Sequence, residues 1–363
     1  MRAQNISEVA SGDRCKIKLI RRFYGMANVS VIGAGSWGTA LSTVLHDNGH
    51  SVTVWSIAQS EIDMLNTYHE HKEKLPGVIL PDDMIFTTDL KMACHNKDLL
   101  VLAVPSVYTR STAALMSPHV EKDQTIVNVA KGIEEDSLMT LSEIIEQEIP
   151  QAKVAVMSGP SHAEEVGEEI PTTCVVGAKQ KETAEFVQNM FMNKVFRVYI
   201  SPDVLGIELG GALKNVVALA AGMADGLGYG DNTKAALITR GIAEISRLGV
   251  KMGGKAETFA GLTGIGDLVV TCASKHSRNR KAGMLMGQGM DMQSAMNEVH
   301  MVVEGVYSAK AALALAKKYD VEVPIIEKVN EILFDGSLVK DAVGELMTRE
   351  KKEEYYGLGW QDQ

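Results

Sequence analysis

Short apolar runs alternate with longer amphipathic stretches over the first two hundred residues of the chain. Seven runs have the length and composition of strands, at residues 29–32, 51–55, 98–105, 125–129, 154–157, 172–176 and 196–200. The run at 98–105 is apolar at nearly every position, as in a strand covered on both faces. Strands that alternate with helices predict a mostly parallel, doubly wound α/β sheet whose ligands bind beyond the carboxyl ends of its strands.

A different pattern begins after Pro202. From residue 205 to residue 347, Ala, Leu, Met and Gly recur at helical spacing, without a convincing alternating strand pattern. The clearest further helices are predicted at 233–247, 294–299, 306–318 and 324–334. We therefore expect an α/β N-terminal domain over residues 26–203, an all-helical C-terminal domain over residues 204–355, and an active site in the cleft between them.

The first strand leads into a glycine pattern, Gly33-x-Gly35-x-x-Gly38, and then into a helix predicted at residues 39–46. Gly33 permits a tight turn, Gly35 lets the backbone approach a pyrophosphate, and Gly38 lets helix and strand pack closely. The helix N-terminus adds unpaired N–H groups and a partial positive charge. This context predicts a Rossmann-type dinucleotide site, and the alternative is a tight turn without a ligand.

Composition and charge narrow the function classes. The chain has 363 residues, 45% of them hydrophobic, and a net charge of −10, which argues against a general binder of nucleic acid or anionic membranes. Its four cysteines are widely separated, which favours reduced thiols in a cytoplasm. The most apolar stretch, residues 206–223, contains Glu208 and Lys214, so we expect it to be too short and too polar to form an integral membrane segment.

The first 25 residues differ from the rest, because they carry six basic residues against two acidic ones and no apolar signal core follows. We expect a basic, disordered leader or an upstream start, with Met26 as the natural beginning. A transit-like segment is the alternative.

Four positions hold charged groups where a packed core would not place them. Lys131 follows a predicted strand, and Lys214 interrupts a helix of small apolar residues. Asp267 follows a glycine-rich turn, and Arg278 lies in a basic loop. Each also has an ordinary explanation, as a solvated lysine, a helix cap or a soluble basic face.

Lys214 fits its ordinary explanation least well. A helix almost free of long side chains packs closely, and a lysine held there loses water, so its pKa falls towards values useful for proton transfer. Asp267 would orient this amine, and Lys131 would add positive charge at the reacting oxygen. Arg278 would grip a phosphate in a fork that lysine cannot reproduce.

Two shorter patterns favour structural interpretations. Ser161-x-x-Glu164 is typical of a capping box that opens a helix, and backbone N–H groups facing a ligand are the alternative. His46 and His50 have a helical ligand spacing, but Gly49 ends the helix between them and no glutamate accompanies them. We therefore expect a helix end there, and no metal.

Eight motifs in order carry a resemblance to a known family. They are Gly-Ala-Gly-Ser-Trp-Gly-Thr-Ala (33–40), Leu-Pro-Gly (75–77), Val-Pro-Ser (104–106), Ala-Lys-Gly (130–132), Ser-Gly-Pro-Ser-His-Ala (158–163), Glu-Leu-Gly-Gly-Ala-Leu-Lys-Asn (208–215), Leu-Thr-Gly-Ile-Gly-Asp (262–267) and Ser-Arg-Asn-Arg (277–280). Together they resemble the NAD(P)-dependent glycerol-3-phosphate dehydrogenases of the bacterial type, over residues from about 26 to about 347.

The resemblance implies reversible hydride transfer between NAD(P)H and dihydroxyacetone phosphate, giving sn-glycerol 3-phosphate for glycerophospholipid synthesis, and a homodimer. It implies that Lys214 donates and accepts the proton. The small phosphorylated substrate would be lined by Lys131, Gly159, Ser161, Lys214, Asp267, Ser277, Arg278 and Asn279. The cofactor, NAD or NADP, would contact, besides Gly33, Gly35 and Gly38 of the glycine pattern, Ser36, Trp37, Lys131, Ala163, Arg278, Val302 or Val303, and Glu304.

The sequence leaves the choice between NAD and NADP open. A Rossmann-type site often places an acid after its second strand for NAD, or an arginine nearby for the 2′-phosphate of NADP. Here Ser56 and Ile57 follow that strand and carry neither charge. The segment 68–74, with two histidines and two lysines, would either contact a 2′-phosphate or form a solvated loop.

Two other functions stay open at this point. A dehydrogenase of the same architecture that acts on a hydroxy acid or a sugar acid phosphate would share the glycine turn and Lys214. A non-catalytic nucleotide sensor would keep the glycines and have no use for Lys214. Turnover of dihydroxyacetone phosphate distinguishes the first function from both.

Overall fold

A computed structural model describes residues 25–354; the predicted leader, apart from its last residue, lies outside the described residues. The first part forms one sheet in the order β3-β2-β1-β4-β5-β6-β7-β8. Its strands are β1 (Asn28–Ile32), β2 (Ser51–Trp55), β3 (Ile85–Thr87), β4 (Leu99–Leu102), β5 (Thr125–Asn128), β6 (Lys153–Ser158), β7 (Thr172–Ala178) and β8 (Phe196–Ser201). Neighbouring strands run parallel except β6 and β7, which run antiparallel. The predicted α/β architecture is confirmed.

All seven predicted strands are present, and their ends differ from the prediction by at most three residues. The sequence pattern does not predict β3. This strand lies at the edge of the sheet, has three residues and buries only Phe86, so its apolar signal is weak.

Helices cover both faces of the sheet. They are α1 (Ser36–Asp47), α2 (Gln59–Tyr68), α3 (Leu90–Cys94), α4 (Thr109–Met116), α5 (Leu141–Glu148), α6 (Ala163–Gly167) and α7 (Lys181–Phe191). Val29 and Val31 of β1 join one core with Leu41 of α1, whereas Ile32 joins another core with Ile145 of α5. Because successive side chains are buried on opposite faces, the central strands are almost entirely apolar.

The second part is helical, and no strand occurs within residues 204–354. Its helices are α8 (Val204–Gly226), α9 (Asp231–Met252), α10 (Ala256–Phe259), α11 (Asp267–Ala273), α12 (Arg278–Gly287), α13 (Met292–Val299), α14 (Glu304–Tyr319), α15 (Pro324–Phe334) and α16 (Val339–Thr348). The four further helices predicted from spacing correspond to α9, α13, α14 and α15. A π-helical turn over Leu262–Gly266 precedes α11.

The central helix α8 corrects one expectation. It has 23 residues, and an 18-residue window within it has a mean hydropathy of 1.5, so by length and composition it is long and apolar enough to cross a membrane. The expectation that this stretch is too short and too polar is therefore wrong. In the fold, 83% of its apolar window is buried, as in the core helix of a protein that packs around it.

Glycines set the distance between α8 and α12. A Cβ on Gly222 would lie 2.1 Å from the carbonyl oxygen of Arg280, and one on Gly283 would lie 2.2 Å from the carbonyl oxygen of Leu219. The two backbones are therefore in direct contact, which confirms the close packing predicted for α8. This packing places the first turn of α12 beside the middle of α8, where Lys214 lies.

Candidate active site

A cleft of about 590 Å³ lies between the carboxyl ends of the first strands and the helical part of the chain. It brings together most of the residues that the sequence singles out. They are Gly33, Gly35, Ser36, Trp37, Lys131, Ser161, Ala163, Lys214, Asp267, Ser277, Arg278, Asn279, Val302 and Glu304.

Gly38 and Gly159 do not line this cleft, although the sequence places both among the ligand contacts. A Cβ on Gly38 would lie 2.0 Å from the carbonyl oxygen of Gly33, so this glycine serves the packing of α1 on the turn. Gly159 has a φ of 151°, and a Cβ there would lie 2.9 Å from the carbonyl oxygen of Thr173. Both glycines shape the site from behind its wall.

The glycine turn has the geometry that a pyrophosphate needs. Gly33 has a φ of 119°, and its N–H donates a hydrogen bond of 2.9 Å to the carbonyl oxygen of Trp55 at the end of β2. A Cβ on Gly35 would meet no atom within 4 Å, so open space lies at this point of the cleft wall. Within the described chain no side chain caps α1, which leaves its first N–H groups available. These residues fit a dinucleotide cofactor.

Opposite the turn, one carboxylate bridges two lysines. The Lys214 Nζ donates to Asp267 Oδ1 at 2.9 Å and to Thr271 Oγ1 at 2.6 Å. The Lys131 Nζ donates to Asp267 Oδ2 at 2.6 Å and to the carbonyl oxygen of Gly159 at 2.9 Å. We call Lys131, Lys214, Asp267 and Thr271 the lysine–aspartate cluster.

Burial sets the protonation behaviour of this cluster. The Lys214 side chain is 7% exposed, and removal from water lowers its pKa to about 8, although the Asp267 carboxylate raises it. Burial favours a higher pKa for Asp267, but the two ammonium groups hold that pKa below its usual value. The predicted fall in the pKa of Lys214 is confirmed. The cluster therefore holds a fixed carboxylate beside an amine that exchanges its proton near neutral pH.

Sequence reasoning missed two neighbours of Lys214. Thr271 lies one turn after Asp267 on α11, and this i, i+4 spacing is the signal that could have found it. His162, within the motif at 158–163, lines the cleft, and its ring centroid lies 5.9 Å from that of His276. Burial and the nearby lysines lower the pKa of His162 to about 4, so its imidazole is neutral.

The basic segment that the sequence places in a loop is the start of α12. Ser277 caps the helix, because its Oγ accepts a hydrogen bond of 3.1 Å from the Arg280 N–H. The Arg280 side chain forms an ion pair with Asp225, in which Nε lies 2.6 Å from Oδ2. Arg278 is exposed in the cleft and forms no hydrogen bond or ion pair with any described residue.

Asn279 and Glu304 face partners inside the protein. The Asn279 Nδ2 donates to Asn215 Oδ1 at 2.9 Å, and its Oδ1 accepts from the Gly305 N–H at 2.8 Å. Glu304 accepts from the Ser106 N–H at 3.0 Å and from the Ser106 hydroxyl, and burial raises its pKa. These contacts tie α12 to α8 and α14, and they tie α14 to Ser106 in the segment after β4.

The predicted capping box at Ser161-x-x-Glu164 is wrong. Helix α6 begins at Ala163, with His162 at its N-cap. The Ser161 hydroxyl donates a hydrogen bond of 3.0 Å to the carbonyl oxygen of Gly159. The helix begins one residue too late for Ser161 to be its N-cap and for Glu164 to be its third residue. A capping box does occur at the start of α5, between Thr140 and Glu143.

The two histidines at the end of α1 have ordinary partners. His46 Nε2 lies 2.8 Å from Asp83 Oδ1, and Gly49 follows the helix with a φ of 87°. Over residues 25–354, no group of three or more His, Cys, Asp or Glu side chains is arranged to hold a metal ion.

Comparison with known proteins identifies the family. Models of the N-terminal and C-terminal parts of NAD-dependent glycerol-3-phosphate dehydrogenase match residues 28–184 and 203–344. The chain belongs to this family. It is 68% identical over 335 residues to glycerol-3-phosphate dehydrogenase (NAD(P)+) of Agathobacter rectalis, covering 92% of this chain and 100% of that protein.

More distant relatives agree along nearly the whole chain. The glycerol-3-phosphate dehydrogenase (NAD(P)+) of Bacillus subtilis is 52% identical over 336 residues, covering 92% of this chain and 97% of that protein. A crystal structure of glycerol-3-phosphate dehydrogenase from Coxiella burnetii superposes with a TM-score of 0.86 at 35% identity, covering 89% of this chain and 99% of that chain. The resemblance found in the eight motifs is confirmed.

Proposed function

We propose that this NAD(P)-dependent oxidoreductase reduces dihydroxyacetone phosphate reversibly to sn-glycerol 3-phosphate. The observation that carries the proposal is the buried Lys214 amine, held by Asp267 in the same cleft as the glycine turn. When bound, the reduced nicotinamide supplies the hydride to C2 of the triose. The chain itself supplies the proton, the positive charge and the grip on the phosphate.

Lys214 is the proton donor in this proposal. A carbonyl oxygen that gains electron density needs a proton, and an ammonium whose pKa is about 8 gives one up near neutral pH. Asp267 holds the amine in place, and Thr271 accepts a second hydrogen bond from it. The Lys131 ammonium adds positive charge at the same oxygen. In the oxidation direction, neutral Lys214 accepts the hydroxyl proton.

Arg278 and the start of α12 bind the substrate phosphate. The Arg278 guanidinium forms no hydrogen bond or ion pair with a described residue, and among the described carboxylates it acts on Glu304 only through its charge, so its planar fork is available to match a phosphate. The first N–H groups of α12 lie beside it and favour an anion. The Asn279 side chain is already used by Asn215 and Gly305, so Asn279 contributes its backbone N–H and fixes the helix.

The division into a dinucleotide-binding domain over 26–203 and a substrate domain over 204–355 is part of the proposal. It is supported by the three large hydrophobic cores, because two lie wholly within the sheet part and the third, around α8, takes only Ile133 of its buried residues from before residue 204. We also propose a homodimer, supported by Val250, Leu338 and Met347, which are exposed near the groove between α9 and α16. Light scattering on the purified chain tests the dimer.

We propose a cytoplasmic location and a supply of glycerol 3-phosphate for glycerophospholipid synthesis. Cys94, Cys174 and Cys272 are free and buried, which is consistent with a reducing compartment. Expression in a bacterial strain that needs external glycerol 3-phosphate tests this role. Growth without the supplement supports it, and continued dependence on the supplement contradicts it.

The decisive experiment follows the absorbance of NADH and of NADPH while dihydroxyacetone phosphate is added to the full chain. We expect oxidation of the nicotinamide and formation of sn-glycerol 3-phosphate. A protein that binds the nucleotide but turns over no substrate would be a sensor. A protein that reduces only 2-oxo acids would belong to the rival dehydrogenase function.

A further inference from the structure

A second lysine–carboxylate pair lies at the other end of the cleft. Ser56 follows β2, Glu61 lies in the first turn of α2, and Lys74 lies in the segment after that helix, and all three line the cleft. They are far from Lys214 along the chain and take no part in the proton transfer. We call Ser56, Glu61 and Lys74 the Glu61 cluster.

The cluster holds the Glu61 carboxylate in one orientation. The Ser56 hydroxyl donates to Glu61 Oε2 at 2.5 Å, and the Lys74 ammonium donates to Glu61 Oε1. The buried His71 has its Nε2 3.8 Å from the same Oε1. The side chains of Glu61 and Lys74 are 18% and 33% exposed, so the pair borders water and is open to a ligand.

The position of this cluster relative to the glycine turn indicates what it faces. The Gly33 N–H donates a hydrogen bond of 2.9 Å to the carbonyl oxygen of Trp55, so the glycine turn and the end of β2 are joined directly. In a doubly wound dinucleotide site, the adenosine ribose lies at the end of this second strand, where an acid accepts a hydrogen bond from its 2′-hydroxyl. Ser56 and Ile57 lack that charge, but Glu61 brings a carboxylate to the same place from α2.

The nearby cations do not offer a free positive charge for a 2′-phosphate. The positive charge of Lys74 is compensated by its ion pair with Glu61. The Lys72 ammonium lies 3.1 Å from the centroid of the Tyr68 ring and does not line the cleft. Ile57, which does line it, is 78% exposed and apolar.

We propose that Glu61 selects NADH over NADPH, because its carboxylate accepts a hydrogen bond from the adenosine 2′-hydroxyl and repels a 2′-phosphate. Lys74 and Ser56 position that carboxylate. The inference rests on the family membership and on the cleft that the proposed function uses. It assigns the cofactor preference to a residue outside the strand end.

Calorimetric titration of the full chain with NADH and with NADPH, without substrate, tests the proposal by binding alone. We expect the native chain to bind NADH at least about tenfold more tightly than NADPH. Glu61→Gln removes the repulsion and frees Lys74, so the preference should fall about tenfold or more. Adding Lys74→Gln to Glu61→Gln should reverse most of the gain in NADPH affinity.

A matched control and a second variant keep the test decisive. Glu182→Gln changes an exposed glutamate in the first turn of α7, outside the cleft, and should leave both affinities unchanged. If Glu61→Gln does not fold, Lys74→Gln alone should widen the preference for NADH, because it leaves the carboxylate without its lysine. Equal or tighter binding of NADPH by the native chain, or an unchanged ratio in these variants, overturns the inference.

Failure of this inference is distinguishable from failure of the proposed function. Turnover of dihydroxyacetone phosphate together with a ratio that does not respond to Glu61→Gln rejects only the role of Glu61. A ratio that responds as expected in a protein without this turnover supports the role of Glu61 and rejects only the assigned substrate.

Discussion

The two ends of the cleft use the same pair of charges in different surroundings. The Lys214 and Asp267 side chains are 7% and 2% exposed, whereas those of Lys74 and Glu61 are 33% and 18% exposed. At the first pair, burial lowers the pKa of the lysine to about 8. At the second, burial favours a higher pKa for Glu61, but hydrogen bonds from its neighbours lower it to about 2. Burial of the lysine therefore dominates at the first pair, and hydrogen bonds to the carboxylate dominate at the second.

The difference follows from the elements that carry each pair. Lys214 and Asp267 lie on α8 and α11, inside a core where glycines bring backbones into contact. Glu61 and Lys74 lie on a short helix and the segment after it, at the edge of the sheet near β3. The buried lysine exchanges a proton, whereas the Glu61 carboxylate keeps its charge because its neighbours donate hydrogen bonds to it.

Loss of the buried Lys214 amine should have the largest effect on the rate. Lys214→Ala removes the proton donor, so we expect kcat for dihydroxyacetone phosphate reduction to fall at least about 10²-fold. Binding of NADH, measured by calorimetry, should change little. Lys181→Ala, at an exposed lysine of α7, is the control and should keep the native rate. A near-normal rate for Lys214→Ala would refute the assigned role.

The packing that keeps one end dry can be tested through stability. Gly283→Ala pushes a methyl group against the Leu219 carbonyl oxygen, and we expect the free energy of unfolding to fall by about 1–3 kcal/mol. The control is Gly344→Ala in α16, where a Cβ meets no atom within 4 Å, and there we expect no loss. Urea unfolding measures both variants, and equal effects would contradict the close-packing argument.

The proposed contact between Arg278 and the substrate phosphate can be tested separately from nucleotide binding in the same cleft. Arg278→Lys keeps the charge but loses the planar fork, so we expect KM for dihydroxyacetone phosphate to rise about tenfold. KM for the nucleotide should rise far less. Initial rates over a grid of both concentrations measure the two constants, and equal increases would count against a contact with the triose phosphate.

The pH dependence of the rate should report the dry lysine. Reduction needs protonated Lys214, so kcat/KM should fall as the pH rises through about 8. Asp267 raises the pKa of Lys214, and Asp267→Asn should therefore move this fall to lower pH, by about one unit or more. A falling limb at the same pH in both proteins would show that another group controls it.

The sequence predicts most of the sheet and most of the buried lysine–aspartate cluster. Central strands are recognisable because they are apolar on both faces, and Lys214 is recognisable because it interrupts an apolar helix. The glycines of α8 predict close packing but do not identify α12 as the partner, since that contact is tertiary. The sequence interpretation also assigns Arg278 to a loop, because the short helix that it begins has little apolar periodicity.

The exposed end is harder to predict for a physical reason. Glu61 and Lys74 are 13 residues apart and meet only because the chain turns back after α2. A search for an acid directly after β2 finds Ser56 and Ile57 and misses a carboxylate delivered by the next helix. Thr271 was overlooked for a simpler reason, since a threonine on a buried helix face looks like a packing residue.

The apolar character of α8 has a consequence for how the protein fails on heating. Its 23 residues are compatible with water only while the surrounding helices cover them. Once those helices separate, this long apolar segment is exposed. It then associates with the same segment of other molecules before the chain can refold. Thermal inactivation should therefore end in precipitate and speed up with protein concentration.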